Sequence, residues 1–291
     1  MGLKGMHLRN DQNMERPNPL NLSSKLLAKQ IRLDTLAMVH AAKSSHVGSG
    51  FSIADILAVL YATKMAIDPL NAGHPQRDRL IISKGHAAAA VYACLANVGL
   101  FDRGDLASYG QPGSVLMAHV NHKVKGVEVS TGALGHGLPF GVGKALAGKR
   151  LGAVWRVFVL LSDGEMDEGS NWEALMFAAH ARLDNLVAIV DYNKLQSLGS
   201  TEATLGLEPL ADKVRAFNWN LIEVDGHDHG ELVRVLDEAT ENRGRPTLIL
   251  AHTTKGKGVS FMENAVSWHY KSPNDDELAQ ALNELQEVCD A

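Results

Sequence analysis

Residues 155–197 read WRVFVLLSDGEMDEGSNWEALMFAAHARLDNLVAIVDYNKLQS, and their punctuation decides the fold. The apolar run Trp155 to Leu161 has strand length. Ser162-Asp163-Gly164 turns the chain sharply. The acidic segment Glu165 to Glu168 leads through Gly169 to Ser170, a helix N-cap by residue type, and alanine-rich helical sequence continues to about Arg182. A second apolar run, Leu186 to Val190, ends at Asp191-Tyr192-Asn193. This is strand, turn, helix, strand, with polar groups at the carboxyl ends of both strands, the edge at which parallel sheets bind ligands.

Residue type then dictates the chemistry. Asp163 offers a carboxylate and Asn193 a neutral amide oxygen, and one crossover helix brings them side by side. A hard cation such as Mg²⁺ takes such oxygens and completes its octahedral shell with carbonyl, water and phosphate oxygens. Two side chains are too few for a protein-only cage, so the site implies a phosphorylated ligand. Gly164 lets backbone approach a phosphate closely. The alternative for these residues alone is a capped βαβ loop without a ligand.

The rest of the chain bounds the setting. It has 291 residues, 45% of them hydrophobic, and a formal net charge of −5 with both signs interspersed. That gives apolar content enough for one large core or two modest ones, and no footprint for nucleic acid. No run approaches the eighteen or so apolar residues of a membrane span. The N-terminus is polar and lacks a signal-peptide core, and Met6 stands where a myristoylation motif needs Ser or Thr. Cys94 and Cys289 are far apart, which fits a reducing cytoplasm.

In chain order, residues 1–20 read as a flexible arm, with Pro17 and Pro19 against helix. Ser23 or Ser24 caps a helix to about Ser44. Ser44 to Gly50 is a glycine-rich break, and a helix apolar nearly all round follows from Ile53 to Met65. Asp78 to Ser83 is a short strand leading to Lys84-Gly85-His86 and an alanine-rich helix from Ala87 to about Val98. Residues 101–130 are loop-rich around a short helix at Arg103 to Tyr109, and hold His119 and His122. Ser130 to Gly137 opens another helix. Past the central stretch come helix (Leu207 to Asn218), strand (Leu221 to Val224), the turn Asp225-Gly226-His227, helix (Gly230 to Glu241) and strand (Pro246 to Ala251). A flexible loop, Thr253 to Glu263, precedes Trp268-His269-Tyr270, and Asn274 or Asp275 caps the last helix. Strands alternating with helices predict an α/β fold: a single domain over residues 21–291, its mostly parallel sheet flanked by helices on both faces.

Ser162-Asp163-Gly164, Glu168-Gly169 and a strand ending in Asn193-Lys194 resemble the thiamine diphosphate fingerprint, in its transketolase form. Further segments resemble that family in its order: Ser45-His46-Val47-Gly48, Ser83-Lys84-Gly85-His86, Thr131 to Gly137, Thr253 to Gly258, and Trp268-His269. Together they span roughly residues 25–275. The resemblance implies thiamine diphosphate and Mg²⁺ as cofactors. It implies that Asp163, Asn193 and the carbonyl of Leu195 hold the metal, and that Gly164, His86 and His269 contact the diphosphate. Gly132-Ala133-Leu134 would hold the aminopyrimidine ring. Glu168 would join an acidic network linking two halves of an active site, and His46, His119 and His269 would line the entry for sugar hydroxyls. His122 competes with His119 for that role.

Some positions depart from the family. Ser162 replaces a glycine, Val47 a proline, His136 a glutamine, and Tyr270 stands where split transketolases often have glycine. Those bordering the substrate channel warn against the usual pentose phosphates. Nothing here resembles the family's second and third domains. The resemblance therefore implies one subunit of a split transketolase, passing a two-carbon ketol unit from ketose to aldose, with a C-terminal partner subunit completing the site, as a dimer of heterodimers. The helices at 53–65 and 136–147 could face that partner or be ordinary core. The alternatives are a deoxyxylulose-phosphate-synthase-like or other transfer on an unusual sugar, and a non-catalytic module retaining the fold.

Overall fold

Among the described residues, five all-parallel strands form one sheet in the order β1-β2-β3-β5-β4: β1 (Arg79–Ile82), β2 (Val157–Ser162), β3 (Leu186–Tyr192), β4 (Asn220–Asp225) and β5 (Thr247–His252). The structure, a computed structural model, describes Pro17 and residues 20–287. The expected flexible arm, apart from Pro17 and Leu20, lies outside the described residues, as does Cys289. β2 and β3 are buried at every position, which is why they read as continuous apolar runs rather than alternating ones. Their side chains still alternate in direction. Phe158, Leu160, Val187 and Ile189 face one core; Val159, Leu161, Ala188 and Val190 face the other. Each large apolar side chain among them contributes about 1.5–3 kcal/mol on burial.

The first core is covered by α1 (Ser24–Ala41), α3 (Ala54–Val59), α4 (Ala88–Asn97) and α9 (His229–Glu241), and the second by α5 (Gly137–Leu151), α6 (Gly169–His180) and α8 (Leu210–Ala216). The α/β sandwich expected from the alternation is thus present. The Ser23 hydroxyl accepts the Leu26 N–H at 3.4 Å and starts α1. Asn274 Oδ1 accepts the Glu277 N–H at 2.8 Å, starting α10 (Asp275–Glu287). α7 (Thr201–Thr204) is a short turn capped by Ser200.

Three expectations need correction, and one choice left open, the role of the helix at 53–65, is narrowed. The glycine-rich break ends at His46, because Val47–Ser52 forms a short buried helix, α2, packed on α1 and α4. Ser170 is not the N-cap of α6: Glu168 occupies that position, and the Ser170 hydroxyl donates to Gly135 O at 2.7 Å instead. α3 and the π-helical turn Leu60–Lys64 that continues it are buried from Ala54 through Ala62, so this helix is core and not a partner surface. The segment Thr253 to Glu263 is packed rather than free-standing, with Lys255, Val259 and Met262 buried.

Candidate active site

The carboxyl ends of β1, β2, β3 and β5 converge on a crevice of about 270 Å³. β1 leads into Lys84 and His86, β2 into Asp163 and Gly164, β3 into Asn193 and Leu195, and the turn after β5 into Lys255. His46, His119, Gly132, Leu134, His269 and Tyr270 close it. Ser162 lies in register with Asp191, so a single crossover does set the Asp163 and Asn193 turns next to each other. Asp163 Oδ1 accepts the Gly164 N–H at 2.7 Å, and Oδ2 accepts the Lys194 N–H. Burial, and then the nearby Asp191 charge, push the Asp163 carboxyl up to about 7. Anionic Asp163 is thus poorly stabilised by the protein alone, and a cation would relieve it.

Beneath lies a buried ion pair that sequence reasoning missed. Lys84 Nζ bonds Asp191 Oδ2, and both side chains are almost wholly buried. Asp191 also accepts from Ser52 Oγ at 2.7 Å, from Thr253 Oγ1, and from Asn193 Nδ2 at 3.1 Å. Burial opposes its ionisation, but Lys84 and the Thr253 and Ser52 hydroxyls outweigh it and hold the carboxyl below the usual range. Asn193 is oriented twice over, because its Oδ1 accepts the Leu195 N–H at 3.1 Å while its Nδ2 is tied to Asp191.

A second cation, Lys255, is also buried, and Nζ lies 2.7 Å from His269 Nδ1. It donates to the carbonyls of Leu195 and Gln196, each at 3.2 Å. Burial first, and then Lys84, lower its pKa to about 8. Around it stand imidazoles: His46 is 5.1 Å from both His86 and His269 and 5.9 Å from His119, ring centroid to ring centroid. Burial is the main cause holding His46 down at about 4 and His269 at about 3, with Lys255 and Lys84 adding to it. His86 is driven well below its ordinary value, first by burial and then by Lys84. At neutral pH these three rings are neutral hydrogen-bonding groups above two ammonium ions.

Local chain geometry explains the aim of these groups. His46 sits in the left-handed region (φ 74°) and donates its N–H to His269 O at 2.9 Å, joining two distant motifs. Gly85 has no alternative, since a Cβ there would lie 2.4 Å from Thr131 O. The crevice takes His119, whereas His122 turns away to the Ser130 hydroxyl, 2.8 Å from its Nδ1. Ala133, His136 and Glu168 are exposed and do not line the crevice. The buried carboxylate nearby is Glu165, which accepts from Ser83 Oγ, from Gly135 N–H at 2.9 Å and from Ser162 N–H at 3.2 Å. It tethers the Thr131 to Gly137 turn to the end of β2. Lys84, Lys255 and Glu165 all stood inside the quoted motifs, but the histidines and the Asp-Gly turn carried the more specific signal.

Residues 23–286 match the family model described as transketolase, thiamine diphosphate binding domain. The chain belongs to this family. Among its relatives, an apulose-4-phosphate transketolase subunit from Actinobacillus succinogenes is 43% identical over 275 residues, covering 93% of this chain and 99% of that one. The 6-deoxy-6-sulfo-D-fructose transketolase subunit SqwG of Clostridium sp. (strain MSTE9) is 42% identical, covering 89% and 94%. The solved transketolase from Leishmania mexicana superposes with a TM-score of 0.86 at 30% identity, covering 91% of this chain but only 41% of that one. The family therefore contains chains of this length named as subunits, and longer ones of which this chain spans about two fifths. The fold class, the family and its transferase character stand on these matches.

The residues present suit the family's cofactor on their own terms. Two buried ammonium groups answer an anionic diphosphate. Asp163, Asn193 and the Leu195 carbonyl line the same crevice and are hard oxygen donors. Among the described residues no three His, Cys, Asp or Glu side chains converge to hold a metal, so a cation here would depend on ligand oxygens.

Proposed function

We propose that this chain is the diphosphate-binding subunit of a two-chain transketolase, which moves a two-carbon ketol unit from a ketose to an aldose. The observation that carries this is the convergence of Asp163, Asn193 and Leu195 with Lys84, Lys255 and the imidazoles of His46, His86, His119 and His269 in one crevice. Asp163, Asn193 and the Leu195 carbonyl hold Mg²⁺; Lys255, His86 and His269, with the Gly164 turn, hold the diphosphate. Thiamine diphosphate, when bound, supplies the nucleophilic carbon that this chemistry requires and no side chain provides. The chain's own part is to bind and orient. Gly132, Ala133 and Leu134 border the aminopyrimidine, and the rings of His46, His119 and His269 hydrogen-bond sugar hydroxyls. Glu168, exposed at the start of α6, meets an acidic group of the partner chain. The non-catalytic alternative loses ground because every oxygen donor and both lysines are in place.

The partner is a C-terminal subunit, and the assembly a dimer of heterodimers. The relatives named as transketolase subunits, nearly matched in length, support a split enzyme. Their names also point to sugars with an anionic end group, phosphate or sulfonate, and Tyr270 at the crevice mouth agrees with a substrate outside the common pentose phosphates. A cytoplasmic setting fits Cys94, free and buried, and no helix among the described residues is long and apolar enough to cross a membrane. Calorimetric titration with thiamine diphosphate and Mg²⁺, with and without the product of the neighbouring open reading frame, tests the proposal. Metal-dependent binding that needs both chains is expected. Binding indifferent to Mg²⁺, or none with the partner present, overturns it.

A further inference from the structure

Asp55, on α3, lies outside the crevice at the centre of a buried cluster. Arg32 grips it with Nη1 at 3.0 Å and Nη2 at 2.6 Å. His227 Nδ1 lies 2.7 Å from Oδ2, and His229 Nε2 lies 3.1 Å from Oδ1. Burial opposes the charge of Asp55, yet Arg32 and the two imidazoles hold the carboxyl well below its usual range. The proton positions follow from the partners. The Thr254 N–H donates to His227 Nε2 at 2.8 Å, so the ring proton is on Nδ1 and donates to Asp55. Arg32 also donates its Nε–H to Lys257 O at 3.0 Å.

Other bonds tie the cluster to Phe51 O and to the Ser24 hydroxyl, but these two land on either side of Lys255, one residue before it and two after. Lys255 in turn reaches His269, Leu195 O and Gln196 O in the crevice. We infer that His227 and Arg32, anchored on Asp55, are positioning residues that clamp the turn after β5 and so hold the Lys255 ammonium in the crevice. Resting on the diphosphate reading only for what Lys255 is there to meet, this gives the Asp225-Gly226-His227 turn a task. Gly226 belongs to the same joint: a Cβ on it would meet Thr253 Cγ2 at 2.4 Å.

Two variants separate the two bonds of His227. In His227→Asn, the amide overlays Nδ1 and keeps the donor to Asp55 but offers nothing to Thr254. In His227→Gln, the amide reaches the place of Nε2 and keeps the acceptor for Thr254. Acetylation of the intact chain by N-hydroxysuccinimidyl acetate, followed by mass spectrometry, reports how often each buried lysine is exposed. Lys84 is the internal reference, since the cluster does not touch it. Loss of the bond to Thr254 should raise the Lys255-to-Lys84 labelling ratio about fivefold in His227→Asn, and His227→Gln, which keeps that bond and gives up only the anchor on Asp55, should rise by less. General loosening would raise both lysines and leave the ratio alone. An unchanged ratio in His227→Asn, or an equal rise in His227→Gln, overturns the inference. If His227→Asn does not fold, Arg32→Lys replaces it with the same expectation, since it keeps the charge beside Asp55 and drops the bond to Lys257 O. Protection of Lys255 by thiamine diphosphate and Mg²⁺ in the parent chain mixed with its partner subunit is a separate arm. Its failure counts against the diphosphate reading and leaves the clamp standing.

Discussion

At Asp163, one carboxylate carries two conflicting demands. The fold surrounds it with burial and with Asp191, which disfavour its charge, while two backbone N–H groups aim at its oxygens. Asp163→Asn keeps the shape and removes the charge. Magnesium-dependent binding of thiamine diphosphate should fall by more than about a hundredfold, since even losing a group that only supports a metal ligand costs about ten- to a hundredfold. The melting temperature of the ligand-free chain should stay within about 3 °C, because the lost backbone bond is offset by relief of repulsion from Asp191. Calorimetry on the chain together with its partner subunit checks the first, and a melting curve on the chain alone the second. Retained metal-dependent affinity would remove Asp163 from the metal site. Asp163, Asn193 and the histidines were legible in the sequence because glycine-marked turns after apolar runs place side chains at a sheet edge. Lys84 and Lys255 were not, because a lysine in a turn ordinarily reads as solvated. Their burial depends on Asp191 and His269, 107 and 14 residues away. Glu165 and Glu168 are three residues apart in one acidic run, and only the tertiary fold decides that the first is buried and the second exposed.

Among the elements, strands and long helices were legible because both kinds of period are local. The centres of β1 to β5 fall where the apolar runs predict them, and α1 starts just after Ser23, whose hydroxyl caps it. α2 escaped because two of its six residues are glycine and its stability comes from packing against α1 and α4. How the elements are joined was hidden too: Asp55 links α1, α3 and the β4–α9 turn through partners 23 to 174 residues away. Asp55→Asn should destabilise the chain by about 3–5 kcal/mol at pH 7, because Arg32 is left buried without its counter-charge. The pH dependence has a definite sign. A carboxyl held below its unfolded value of 3.8 contributes stability that is fully present above that value and lost as pH falls through the folded value. Urea unfolding at about pH 7, 4 and 3 should therefore show the gap between parent and variant intact at neutral pH and narrowing below about pH 4. A gap independent of pH would mean that the charge of Asp55 is not what stabilises the joint.

For the whole molecule, the proposed partner subunit needs a face to sit on, and α5 and α6 offer one by what they leave uncovered. Both pack on the second core through Leu138, Val142 and Ala145, and through Ala174, Leu175 and Ala178. They also pack against each other. A helix that ends at solvent would turn a polar back outward. Here Phe140 is 40% exposed, Met176 58% and Phe177 46%, with Gly143 and Ala147 exposed on the same α5. Glu168 and Ala133, the two proposed site residues outside the crevice lining, are also exposed, at the start of α6 and just before α5. Small residues with scattered large apolar ones suit close helix packing against a second chain. Of the two helices considered for that role, the fold has already used up the first in its own core. Met176→Glu and Phe177→Glu should leave the melting temperature of the isolated chain within about 2 °C, since surface changes cost about half a kcal/mol or less. Each should weaken association with the partner subunit by about tenfold or more, the cost of losing a buried interface anchor. Sedimentation velocity across a titration of the two chains measures the second effect and thermal melting the first. Full-strength association by both variants would place the partner on a different face and leave these apolar residues without a role in assembly.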